Sequence, residues 1–125
     1  MLGKFILLLS ALVFTVYGLV CLYAPEVAAG YAGLEMTNGD AYAEIGAMYG
    51  GLQTGVGLFC LMGLLQPQHT RSALTLLAMV IGLLTFGRLY SALTAEDAVT
   101  TYTWGALGYE FFTAVTATIA LRQLK

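Results

Sequence analysis

The sequence predicts an all-α fold, a bundle of four transmembrane helices with both termini in the cytoplasm. Three observations predict it. Apolar residues make up 59% of the 125-residue chain and charged residues only 10%, whereas a soluble domain carries about 25% charged residues to cover its surface. The apolar residues collect in four stretches of about 20 residues, the length that crosses about 30 Å of hydrocarbon at 1.5 Å per residue. The charges between those stretches are sorted by sign.

The first stretch covers residues 5–24. Residues 5 to 25 carry no charge, which is longer than a signal-peptide core. Leu22 stands where cleavage after Ala24 needs a small residue, and Val20 spoils a lipoprotein box before Cys21. An uncleaved first helix is therefore expected, stopped by Pro25, which has no N–H to donate and biases its predecessor away from helical dihedrals. Residues 25–43 form the longest polar stretch, with Glu26, Glu35, the turn signal Asn38-Gly39, and Asp40 as the expected N-cap of the next helix. The second helix is expected over 41–65. Gln66-Pro67-Gln68-His69-Thr70 reads as a short loop, the third helix covers 71–93, and a second polar loop carries Thr94, Glu96 and Asp97. The fourth helix covers 102–121. Residues 1–125 read as a single membrane domain.

Charge then sets orientation. Lys4, His69, Arg71, Arg122 and Lys125 fall at one end of this arrangement, and Glu26, Glu35, Asp40, Glu96 and Asp97 at the other. Basic residues in short loops stay cytoplasmic, so the acidic loops face outward. Tyr23, Tyr31, Tyr42, Tyr90, Tyr102 and Trp104 map to the outer boundary, where a ring that is half apolar and half polar sits well.

Several function classes drop out. A net charge of −2 with no basic patch argues against nucleic acid. Cys21 and Cys60 form no C-x-x-C pair and fall near opposite membrane faces, too far apart for a disulfide. His69 is the sole histidine and lies in an expected loop, which removes a bis-histidine haem. No Ser/His/Asp set, metal-ligand constellation or phosphate loop appears. The chain is expected to be no enzyme and to carry neither cofactor nor metal.

Three ionisable residues fall within the helices. A charge at a helix centre costs about 2.5–3.5 kcal/mol on insertion scales. Glu44 lies about 3 Å below the outer end of the second helix, facing the positive end of its dipole. Arg88 lies about 8 Å below the outer end of the third and has a stem long enough to reach upward. Glu110 lies about 12 Å inside the fourth, too deep for its short side chain to reach water. An Arg88–Glu110 ion pair is therefore expected, with Glu44 placed to join it from above. Tyr49 and Gln53, four apart, share a helix face, and Tyr109 adjoins Glu110. Glu44, Tyr49, Gln53, Arg88, Tyr109 and Glu110 thus make the candidate polar cluster, lining a cleft in the outer half of the bundle or simply binding helix to helix. Gly46, Gly50, Gly51, Gly55 and Gly57 make the second helix dense in small-xxx-small patterns, which let backbones approach closely in lipid. The approaching surface is another helix of this chain or a second protomer.

Glu44-x-x-Ala47-Met48-Tyr49-Gly50-Gly51 with Gly55 and Gly57, then Gly87-Arg88-Leu89-x-Ser91, then Glu110, resemble a family of uncharacterised bacterial four-helix integral membrane proteins, grouped as a domain of unknown function. The plan is also loosely similar to DoxX-type proteins, some of which are accessory subunits. The resemblance implies a multi-pass protein of the bacterial plasma (inner) membrane and implies no activity.

The expected function is an accessory or interaction subunit of that membrane. Its partners are the lipid bilayer and either another membrane protein or a second copy in a homo-oligomer. The alternative is a small transporter or binding protein for a hydrophobic or cationic solute that uses the polar cleft. A cavity leading to unpaired oxygens of Glu110 favours the solute; a carboxylate held by Arg88 favours the accessory role.

Overall fold

Long apolar runs with no interior proline fold into long helices. The computed structural model, which describes residues 1–124, has five: α1 (Leu2–Tyr23), α2 (Pro25–Ala32), α3 (Gly39–Leu65), α4 (Pro67–Thr94) and α5 (Thr101–Gln123). No strand occurs among the described residues. Three of the helices, α1, α3 and α4, are long and apolar enough to cross a membrane. Helix α5 is 23 residues long, so it has the length, but polar residues lower its hydropathy.

Helix α2 occupies part of the stretch expected to be loop. Pro25 stands at its start, where a missing N–H costs nothing. Gly33 ends it at φ +69°, a left-handed cap whose N–H reaches the carbonyls of Ala29 and Gly30. The N-cap of α3 also differs from expectation: it is Asn38, whose Oδ1 accepts from the Ala41 N–H at 2.9 Å. Asp40 falls instead in the first turn, where its charge meets the helix dipole. Asn38→Ala is expected to cost about 1 kcal/mol and Asp40→Asn about half as much, read as shifts in the thermal midpoint of the protein in detergent. The expected 66–70 loop shrinks similarly. Pro67 opens α4, Gln66 is its N-cap, and His69 lies in the first turn.

The chain divides into two compact units. One is Leu8–Leu61; the other joins Met1–Leu7 to the chain from Met62 onward.

In the first unit the backbones of α1 and α3 touch. A Cβ at Gly57 would stand 2.5 Å from the backbone nitrogen of Thr15, one at Gly18 2.5 Å from that of Thr54, and one at Gly50 2.7 Å from Leu22 Cγ. Positions 15, 18 and 22 therefore run against 57, 54 and 50, an antiparallel seam. Lipid is as apolar as leucine, so it supplies no hydrophobic drive between helices, and close van der Waals contact through small residues takes its place. Thr54 turns its hydroxyl onto the Gly50 carbonyl at 2.8 Å. The backbone widens to a π-helical turn over Gly46–Gly51.

This seam takes up part of the expected packing set. Of the five glycines singled out in the second helix, Gly50 and Gly57 lie on it. Gly46 makes an ordinary contact, 3.6 Å from Pro25 Cγ, and a Cβ on Gly51 or Gly55 would meet nothing within 4 Å. Each helical residue turns about 100°, so 51 and 55, one step beyond 50 and 54, leave the face that meets α1. Beside the seam, Cys21, Ala28, Ala29 and Ile45 form a buried apolar cluster, with Tyr17, Met36 and Tyr49 packed on it. Cys21 and Cys60 are both buried free thiols.

In the second unit, Gly63 abuts Ala73, and Thr70 donates to the Gly63 carbonyl at 2.8 Å, tying α3 to α4 across their tight connection. The first turn of α1 packs there as well, Gly3 lying against Leu74 and Ala120. Helix α5 buries Glu110, Thr113, Thr116, Ala117 and Ala120, while Phe111, Phe112, Val115 and Ile119 are exposed. Small and polar residues are inside and large apolar ones outside. Lipid-facing helices have that arrangement; water-facing helices have the reverse.

Candidate functional site

The site lies in the second unit, between α4 and α5. On α4, Thr85 is buried and its hydroxyl returns to the Ile81 carbonyl at 2.7 Å. That carbonyl ends a π-helical turn, Leu77–Ile81. Arg88 follows Thr85 by three residues and so shares its face. On α5, Glu110 begins the buried stripe that continues through Thr113 and Thr116.

The guanidinium of Arg88 meets the carboxylate of Glu110. Nη2 donates to Oε1 at 2.7 Å, and Nε donates to Oε2 at 2.9 Å and to Oε1 at 3.1 Å. Both carboxylate oxygens are engaged, in the two-pronged geometry that makes Arg–carboxylate pairs strong and directional. The Glu110 side chain is 7% exposed and that of Arg88 24%. The anion is enclosed and the cation has an edge toward the surroundings, which suits the longer, more weakly hydrated group.

The other members of the expected cluster divide between the two units. Tyr109 is half-buried next to Glu110 on α5. Glu44, Tyr49 and Gln53 belong to the first unit. Glu44 is exposed there, Gln53 is half-buried, and Tyr49 packs on the apolar cluster around Cys21.

Two open grooves run along the α4–α5 surface and were not foreseen. One, of about 240 Å³, is lined by Thr85, Leu89, Trp104, Leu107, Gly108 and Phe111. The other, of about 430 Å³, shares Thr85 and Phe111 and extends past Thr118 to Arg122. Thr118 hydrogen-bonds the Ala114 carbonyl at 2.8 Å, as Thr85 does that of Ile81. These hydroxyls serve their own helices, so the grooves offer an incoming molecule mainly apolar surface. Neither Arg88 nor Glu110 lines them. The signal in the sequence was the spacing of Trp104, Gly108 and Phe111, which puts a gap between two aromatics on one helix face.

The Thr113 hydroxyl, one turn beyond Glu110, is buried without a hydrogen-bond partner among the described residues. No group of three His, Cys, Asp or Glu residues capable of holding a metal occurs among them.

No curated protein and no solved structure matches the chain. A family model does. It is described as a domain of unknown function, DUF4345, and it matches residues 2–121. With nearly its whole length covered, from the start of α1 to within two residues of the end of α5, the chain belongs to the DUF4345 family.

Proposed function

We propose that the protein is an accessory or interaction subunit of the bacterial plasma membrane, crossing it four times with both ends in the cytoplasm. The observation that carries the accessory role is the Glu110 carboxylate, held on both oxygens by Arg88. A carboxylate so engaged is a fastening between helices and is poorly placed to bind a solute. Helix α5 is the fourth span in this reading. Its low mean hydropathy comes from a polar stripe turned inward, while its outer face, with Phe111, Phe112, Val115 and Ile119 exposed, is apolar. The exposed rings of Tyr23, Tyr31, Tyr42, Tyr90 and Trp104 supply the outer aromatic belt and the surface for a partner.

Co-purification in mild detergent, with bound molecules read by mass spectrometry, tests this. The accessory reading expects a membrane protein, or a second copy of the chain, in fixed ratio. A chain that elutes as a monomer with no protein companion at near-physiological expression would contradict it. The groove beside Trp104 supports a second reading, a binder of an apolar solute. A cationic solute is disfavoured because Arg88 already neutralises the carboxylate. Recovery of one defined apolar compound at equimolar ratio, with no protein, would favour that second reading.

A further inference from the structure

At the end of the second unit where α4 begins and α5 finishes, a crevice of about 590 Å³ opens. Its walls come from three helices. Helix α1 contributes Lys4, α4 contributes Thr70 and Arg71, and α5 and its last residues contribute Ala120, Gln123 and Leu124. The cations lie on different helices, so the fold has brought them to one cavity, and among the described residues no acidic side chain lines it. Like charges gathered at one cavity repel each other, and a bound anion relieves that cost. Arg71 is held at the rim by a hydrogen bond from Nη2 to the Leu124 carbonyl at 2.9 Å. A guanidinium has five N–H donors, and this bond occupies one of them. Thr70 spends its hydroxyl proton on the Gly63 carbonyl, so among the side chains that line the crevice Lys4, Arg71 and the Gln123 amide remain as donors for an anion. Alongside them Ala120 and Leu124 give the crevice an apolar flank.

We propose that this crevice binds a phosphate group, and that in the membrane the group is the headgroup of an anionic phospholipid. A planar guanidinium and an ammonium on separate helices can grip phosphate oxygens from two directions. The apolar flank suits the glycerol and first methylenes of the lipid. Basic pockets between helix ends on the cytoplasmic side have the right chemistry for such headgroups. The lipid assignment rests on the membrane reading above; the phosphate assignment rests on the crevice alone.

The test is thermal denaturation of the full chain in a neutral detergent with added phosphatidylglycerol, phosphatidylcholine or sodium phosphate, the last matched in ionic strength with sodium chloride. Phosphatidylglycerol is expected to raise the midpoint by several degrees and phosphatidylcholine to leave it in place. Lys4→Gln and Arg71→Gln are each expected to remove at least half of that rise. Arg122→Gln, a cation that does not line the crevice, is expected to retain it. Arg71→Gln also loses the bond to Leu124 and could destabilise the protein by itself. Lys4→Gln makes no such change, so it keeps the test decisive. A rise with sodium phosphate that Lys4→Gln abolishes would support the phosphate site with free phosphate as its occupant. No anion-dependent rise, or equal losses in Lys4→Gln and Arg122→Gln, would overturn the proposal. If the protein needs no detergent the membrane reading fails, while the phosphate arm still tests the crevice.

Discussion

Arg88→Gln is expected to destabilise the protein in detergent by about 3–4 kcal/mol and Glu110→Gln by about 2–3 kcal/mol, the scale for breaking an enclosed ion pair. The asymmetry follows from exposure. Removing Arg88 leaves a carboxylate whose side chain is 7% exposed, whereas removing Glu110 leaves a guanidinium that is 24% exposed and has a long stem with which to find water or a headgroup. The double variant strands neither charge, so it should cost less than the sum by about 1–3 kcal/mol. Strictly additive losses, measured by denaturant titration of the four proteins, would show that the two groups do not depend on each other. Such a pair need not add net stability over a well-packed apolar alternative. Its value in this account is register: it fixes which face of α5 meets α4.

The second large effect is expected at the α1–α3 seam. Gly57→Ala and Gly18→Ala each place a methyl group where the partner's backbone nitrogen is 2.5 Å away. Backbone cannot swing aside as a side-chain tip can, so the helices must separate, at about 2–3 kcal/mol for each. Gly51→Ala and Gly55→Ala place theirs in open space and should be neutral or stabilising by up to about 1 kcal/mol, since alanine loses less entropy in a helix. The comparison controls for composition, because all four substitutions are the same glycine-to-alanine change. Equal losses at Gly55 and Gly57 would mean that α3 does not meet α1 along this face.

Much of this fold was legible from length and charge. Runs such as residues 5–24 are too long and too apolar to be anything but helix, and proline and charge mark their ends. Arg88 and Glu110 could be matched because each falls at a similar depth and Glu110 lies too deep for its short side chain to reach water. The glycine face could not be read in the same way. The second helix carries the i, i+4 pattern in two phases, 46/50 and 51/55, and nothing within that helix chooses between them. The choice was made by α1, where Thr15, Gly18 and Leu22 offer the complementary surface. Helix α2 was missed because eight residues are too few for a period to stand out, although Pro25 and Gly33 sat where a helix start and stop belong. Asn38-Gly39 reads as a turn in the sequence, which moves the expected cap on to Asp40. The same two residues serve as cap and first helical position. The grooves beside Trp104 depend on how α4 and α5 lie together, which sequence periodicity does not contain.

The central proposal is that α5 crosses the membrane together with α1, α3 and α4, the three helices long and apolar enough to do so, and parity makes it testable. Four crossings return the chain to the side where it began; three leave its ends on opposite sides. The direct measurement is accessibility of short epitope tags at the two ends in intact spheroplasts, after confirming that the chain stays in the membrane pellet through an alkaline carbonate wash. The account predicts that both tags are hidden until the membrane is permeabilised. One tag accessible and one hidden, or a chain released by the wash, would contradict it.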